Sequence, residues 1–80
     1  MKQTKPTNKM TKENAFLIYE LLCNAGWMDD ADELLAYTVD EEGKEVAIEQ
    51  MNNVNNLINL INPLLDNPLR LIDEDIENDY

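Results

Sequence analysis

The pattern that most constrains this chain is the amphipathic stretch Met51–Asn62, MNNVNNLINLIN. At 100° per residue its apolar side chains fall within an arc of about 120°, as on a helix that buries one face; they are Met51, Val54, Leu57, Ile58 and Ile61. The opposite face carries five amides: Asn52, Asn55, Asn56, Asn59 and Asn62. Because asparagine is a mediocre helix former, this helix depends on burying its apolar stripe. Its amide face is either solvated surface or a contact face.

A second helix is predicted over residues 12–25, with Thr11 as its N-cap. Apolar side chains wrap most of its circumference, so it belongs at the centre of the core. Gly26 suits the left-handed position that follows a helix, and Trp27 can fold back onto the last turn in a Schellman-type contact.

The segment between these helices has two interpretations. In one, Asp30 caps a helix that Gly43 ends, and the next helix begins at Glu45. In the other, a turn of helix leads into strand Leu35–Val39, which a turn at Gly43 joins to a return strand over residues 46–48. The β-branched and aromatic residues of AYTV and VAI favour the hairpin.

After Pro63 ends the long helix, Asn67-Pro68 resembles an N-cap followed by an N1 proline, and predicts a short final helix. Its docking residues would be Leu69, Leu71, Ile72 and Ile76. The expected fold is a small, mainly helical α+β domain: helix, short helix or turn, β-hairpin, helix, short C-terminal helix. An all-α bundle of about four helices is the alternative. Residues 1–10 are expected to form a flexible basic arm, 11–72 one compact domain, and 73–80 a frayed acidic tail.

Charge and size bound the function. Eighty residues with a net charge of −11 form one domain with a limited core, for which a homodimer or a heterocomplex is a reasonable expectation. Four lysines precede residue 13, whereas the remaining 68 residues hold all 17 acids against Lys44 and Arg70, a balance of −15. Such a body repels nucleic acid and anionic membranes and attracts basic surfaces.

Several classes of function are disfavoured. The chain has no serine and no histidine, so hydrolytic nucleophile–base pairs cannot be built, and we expect no enzyme and no cofactor. Cys23 falls in an apolar helix and is expected to be a small core residue. Asp73, Asp75 and Glu77 have the spacing of a calcium loop without its glycine, so no metal site is expected. No long apolar run or secretory signal is present, which predicts a cytoplasmic protein.

The acids themselves are the candidate site. Nine occur within twenty-one residues: Asp29, Asp30, Asp32, Glu33, Asp40, Glu41, Glu42, Glu45 and Glu49. A second group near the end includes Asp73, Glu74, Asp75 and Glu77. Carboxylates three or four residues apart on a helix lie about 5–6 Å from each other, and duplex DNA carries a charge about every 1.7 Å along its axis. A folded acidic domain can therefore imitate a phosphate backbone.

In size, charge and composition the chain resembles the small acidic inhibitors that phages and plasmids direct at host defence or DNA-binding proteins. That resemblance implies a non-enzymatic inhibitor of the anti-CRISPR or anti-restriction type, a DNA mimic whose partner is a basic, nucleic-acid-binding protein in the host cytoplasm. It implies no direct contact with nucleic acid or membrane. The alternative is a structural or regulatory interaction module, such as an antitoxin-like or assembly subunit. Such a module would bind through helix one, the Leu64–Ile72 segment or the asparagine face.

Overall fold

The chain folds as three α-helices in the computed structural model, which describes residues 10–76. They are α1 (Lys12–Ala25), α2 (Ala31–Glu42) and α3 (Lys44–Ile61), and a 3₁₀ turn, Asn62–Leu64, follows. Within residues 10–76 there is no strand. The expected α+β fold with a β-hairpin is therefore wrong, and this part of the chain is all-α.

The boundaries of α1 confirm the sequence prediction at both ends. The Thr11 side chain accepts a hydrogen bond from the Asn14 amide at 3.1 Å, which caps the first turn. Gly26 has φ = 95°, and its N–H bonds back to the Cys23 carbonyl oxygen at 3.1 Å. The Trp27 N–H reaches the Leu22 carbonyl oxygen at 3.0 Å, which completes a Schellman motif and turns Trp27 back toward the core.

Helix α2 replaces the expected first strand because burial in this segment follows a helical period. In a strand, Leu35 and Tyr37 would share a face. In the structure Leu35 is 0% exposed and Tyr37 is 66% exposed, while the next buried residue is Thr38. Packing on a helical face thus outweighs the preference of AYTV for strands. Asp30 is the N-cap residue of α2, but its side chain makes no capping hydrogen bond.

Thr38 shows how a β-branched polar residue is accommodated inside the helix. Its hydroxyl donates to the Leu34 carbonyl oxygen at 3.0 Å and lies 2.7 Å from the Gln50 Oε1 position. A hydroxyl has a single proton, so both contacts are satisfied when the Gln50 amide presents its nitrogen to Thr38. This pair joins α2 to α3 and leaves the buried hydroxyl satisfied.

Gly43 alone separates α2 from α3, ending the first and capping the second. Its φ of 105° and ψ of 163° belong to a region of backbone space that is essentially reserved for glycine. Its N–H bonds to the Thr38 and Val39 carbonyl oxygens at 3.1 and 3.0 Å. The glycine predicted to shape a hairpin turn therefore joins two helices instead.

Helix α3 is central, since both α1 and α2 pack against it. The first core cluster combines α1 and the second half of α3: Ala15, Leu22, Val54, Ile58 and Ile61. The second combines α2, the first half of α3 and the end of the described chain: Leu35, Ala47 and Ile76. Trp27 and Ile72 pack against both clusters and so link them.

The final helix predicted after Asn67-Pro68 is wrong for residues 68–75. Residues 65–75 contain no helix, and the alternative of about four helices reduces, within the described range, to three. This segment, with Ile76, is here called the strap (residues 65–76). Leu65 begins it in an extended conformation, and Leu69, Ile72 and the 2%-exposed Ile76 pack on the core as expected for docking residues, while Leu71 is half-exposed.

The strap does not form a helix because two asparagines bond to its backbone: Asn55 of α3, and Asn62, which directly follows α3. The Asn55 amide nitrogen donates to the Ile72 carbonyl oxygen at 2.9 Å, and the Ile72 N–H donates to Asn55 Oδ1 at 2.7 Å. Asn62 makes the same two bonds with Leu69, at 2.9 and 2.8 Å. We call these the amide clamps. A helix over this segment would need the same backbone groups for its own hydrogen bonds.

The distance between the two clamping asparagines matches the distance between the two strap residues that they bind. Seven residues of α-helix rise about 10.5 Å between Asn55 and Asn62. Three residues of extended chain span at most about 10–11 Å, so strap residues three apart can reach both asparagines. Leu69 and Ile72 are three residues apart, and Pro68 precedes them. Part of the amide face of α3 is therefore a contact face, and it contacts the strap of the same chain.

Replacing Asn55 or Asn62 with alanine removes two hydrogen bonds and leaves a strap N–H and carbonyl unpaired. We expect each variant to lose about 1–3 kcal/mol of unfolding free energy. Urea denaturation followed by Trp27 fluorescence measures this loss. Asn56→Ala and Asn59→Ala are matched controls, because these side chains are exposed, and should change stability by no more than about 0.5 kcal/mol. Equal losses at all four positions would contradict the clamps.

Replacing Gly43 with alanine tests the single-residue connection. A Cβ at this position meets no atom within 4 Å, so crowding contributes nothing and only backbone strain remains. We expect a loss of about 1–3 kcal/mol, measured by thermal or urea unfolding against the exposed neighbour Glu42→Ala. An unchanged stability would show that the chain can relax its φ at this junction.

Candidate partner-binding surface

Within residues 10–76, the acids of both groups anticipated from the sequence are exposed, apart from the half-buried Glu74. Around the junction of α2 and α3 the exposed acids are Asp40, Glu41, Glu42, Glu45 and Glu49, and we call this group the corner. It contains one basic residue, Lys44. Glu45 and Glu49 are one turn apart, about 6 Å, so their like charges repel. The corner is thus a dense negative surface carried on helix ends.

The turn between α1 and α2 carries the rest of the first acidic group. Asp29, Asp30, Asp32 and Glu33 are all exposed there, at the start of α2. Because α2 has twelve residues, this turn and the corner are separated by about 18 Å along the helix. Acids at the start of a helix are favoured by its dipole, whereas those at its end are not.

The strap brings the second acidic group to the first. Asp29 and Asp32 line a cleft of about 490 Å³ together with Asp73 and Glu74 of the strap. Asp73 and Asp75 are exposed and Glu74 is half-buried. Sequence reasoning had treated these acids as two separate groups. Glu77 was expected in the second group and lies outside the described residues.

Sequence reasoning missed the apolar part of this cleft. Trp27 and Met28 line it together with the strap residues Pro68 to Ile72, among them Arg70. The available signal was the Schellman turn, which placed Trp27 at the end of α1 directly before the acids. No local signal showed that the strap would return to the same place, since that depends on the amide clamps.

Apolar side chains are also exposed on the helices. On α1, Phe16, Leu17 and Leu21 are each more than half exposed, with Leu21 at 68%. On α3, Leu60 is 57% exposed and Leu57 is 38% exposed. The sequence predicts α1 at the centre of the core, but the helix exposes more apolar surface than a central helix would. This surface is available for contact with another molecule.

Cys23 is half-buried and unpaired as a disulfide, and lies outside both buried clusters rather than in the core. A side-chain hydrogen bond with Cys23, reinforced by the charge that the thiol can carry, raises the pKa of Tyr19 above its ordinary value. Partial burial and the carboxylates of Asp29 and Glu20 act in the same direction. The shift does not change the state of the phenol, which is protonated at neutral pH at its ordinary pKa as well, and Tyr19 packs against the first core cluster.

In residues 10–76 no group of three or more histidine, cysteine, aspartate or glutamate side chains has a geometry that would hold a metal ion. No helix in the described part of the chain is long and apolar enough to cross a membrane. Comparison with protein-family models, curated proteins and solved structures finds no match to this chain. The chemistry of the surface is therefore the basis for proposing a function.

Glu41→Gln and Glu45→Gln form a matched test of the electrostatics at the corner. Glu41 lies in the last turn of α2, so its removal relieves both repulsion and an unfavourable dipole contact, and should stabilise the fold by about 0.3–1 kcal/mol. Glu45 begins α3, where the dipole favours an acid, so its removal should gain less. Urea unfolding is compared from about 0.01 M to about 0.1 M NaCl, as the Debye length falls from about 30 Å to about 10 Å. Stability independent of salt would contradict strong self-repulsion.

Proposed function

We propose that this protein is a non-enzymatic inhibitor that binds the basic, nucleic-acid-binding surface of another protein by presenting carboxylates in place of phosphates. The observation that supports the proposal is the placement of the acids. They lie at the corner and around the cleft, at the two ends of α2, on helices and on a strap that pack together. The partner class is a basic protein, with no direct binding to nucleic acid or membrane.

The physical basis of binding is charge complementarity. A groove that holds nucleic acid carries lysines and arginines that neutralise phosphates and release bound counterions. Exposed carboxylates on a rigid surface meet the same cations, and their long-range field raises the rate of encounter. Because the like charges repel one another in the free protein, a basic partner also relieves that repulsion. Binding of this kind weakens steeply as salt increases.

The decisive experiment is competition with nucleic acid. The tagged protein captures partners from a bacterial lysate at low salt, and the captured protein is then purified. Its binding to the inhibitor is measured with increasing NaCl and with added duplex DNA or RNA. We expect affinity to fall with salt and nucleic acid to displace the inhibitor.

Two sets of substitutions compare the acids of the corner with those of α1. A variant with Asp40→Asn, Glu41→Gln, Glu42→Gln and Glu45→Gln should bind at least tenfold more weakly, since each lost contact at the surface is worth on the order of 1 kcal/mol. Glu13→Gln with Glu20→Gln removes exposed acids of α1 and serves as control. Full affinity in the fourfold variant, or a salt-resistant complex that nucleic acid does not displace, would overturn the proposal.

The exposed apolar face of α1 favours a second candidate, an interaction module that binds through Leu17 and Leu21. Such binding would be nearly insensitive to salt and would be lost in Leu17→Ser with Leu21→Ser. The other two surfaces through which such a module could bind are partly used in contacts within the chain. Leu69 and Ile72 of the strap pack on the core, and Asn55 and Asn62 of the amide face hold the strap.

A further inference from the structure

The cleft between the α1–α2 turn and the strap has the composition of a site for a cationic side chain. Its apolar wall contains Trp27 and Met28, both half-buried, and its volume of about 490 Å³ lies in the usual range for ligand pockets. Its charged lining residues are Asp29, Asp32, Asp73 and Glu74 with the one guanidinium of Arg70, a net charge of −3.

We propose that this cleft receives an arginine side chain from an extended segment of the basic partner. The inference rests on the proposed function, which supplies a partner rich in cations. It adds a specific point of contact to what is otherwise a distributed charge. It also gives Trp27 a role in recognition beyond joining the two core clusters.

Arginine suits both the apolar and the charged lining residues of the cleft better than lysine does. Its guanidinium is planar, weakly hydrated and able to stack on an aromatic ring, while its edge donates to carboxylates in pairs. An ammonium is a compact, strongly hydrated point charge and gains less from an indole beside it. The strap supports this position, because the clamps fix the backbone at Leu69 and Ile72 while Arg70, Leu71 and Asp73 line the cleft.

The occupant is set by charge. A second copy of this chain is a poor candidate, since both surfaces would carry a strong negative charge and repel. An acidic peptide would add to the net negative charge of the cleft, and a neutral peptide would not offset it. A basic segment offsets this charge and lays its aliphatic stem along Trp27 and Met28, as long cationic side chains do on apolar surface.

The test uses Trp27, the only tryptophan of the chain, as the reporter. The whole protein is titrated at low salt with the capped pentapeptide Gly-Leu-Arg-Leu-Gly, and its fluorescence is followed. The same peptide with citrulline, the neutral isostere of arginine, is the ligand control, and a lysine peptide is the second. We expect a saturable change with arginine, a weaker one with lysine and none with citrulline.

Two variants of equal charge locate the binding. Asp29→Asn with Asp73→Asn removes two carboxylates from the cleft, and should weaken the arginine peptide by roughly fivefold for each. Asp40→Asn with Glu49→Gln removes two from the corner, and should weaken it less than twofold. Circular dichroism verifies that both variants fold, and the single variants Asp29→Asn and Asp73→Asn repeat the test if the pair does not.

The proposal is overturned if citrulline binds as well as arginine, or if the corner variant loses as much affinity as the cleft variant. The latter would show diffuse attraction with no site at the cleft. These outcomes leave the proposed function standing, because the captured partner is assayed separately by salt and nucleic-acid competition. Conversely, a saturable arginine site in a protein that nucleic acid does not displace from its partner would remove the mimic and keep the cleft.

Discussion

The fold depends on two side-chain amides that hydrogen-bond to the backbone of the strap, as a neighbouring strand would. Asn55 and Asn62 each give one donor and one acceptor to the backbone of the strap, and all four bonds lie between 2.7 and 2.9 Å. Through them the strap brings Ile72 against both core clusters and Ile76 into the second. An 80-residue chain has little core to spare, so a segment without regular structure becomes part of its interior.

The same arrangement is electrostatically unfavourable, because it brings like charges together. Apolar packing and the clamps draw the strap toward the α1–α2 turn, and the acids of both segments then meet around one cleft. Arg70 lies among them and offsets part of this repulsion. A protein selected for stability alone would not need to concentrate charge there. The crowding is the physical reason to look for a cationic partner at this surface.

Much of the molecule follows from local sequence. The cap at Thr11, the left-handed Gly26 and the amphipathic period of α3 predicted two helices correctly, because each signal is complete within a few residues. The hairpin was wrong because the strand preference of residues 36–39 is weaker than burial of Leu35 and Thr38 on a helical face. The predicted final helix was wrong because the side chains that bond to this backbone lie outside the segment itself. Nothing near Leu69 shows that Asn62 will claim its backbone, and the cleft could not be foreseen without that contact.

Holding the strap by its backbone has a consequence for how such a protein can change. The clamps recognise peptide groups, which every residue except proline supplies in full, and not the side chains of Leu69 and Ile72. The outward positions Arg70, Leu71 and Asp73 line the cleft, and neither clamp bonds to their backbone. Substitutions at these three positions can therefore alter what the cleft accepts while the anchoring bonds persist. If the cleft binds a partner as proposed, attachment of the strap and selectivity of the cleft belong to different residues of one short segment, and a change of target requires no change in the scaffold.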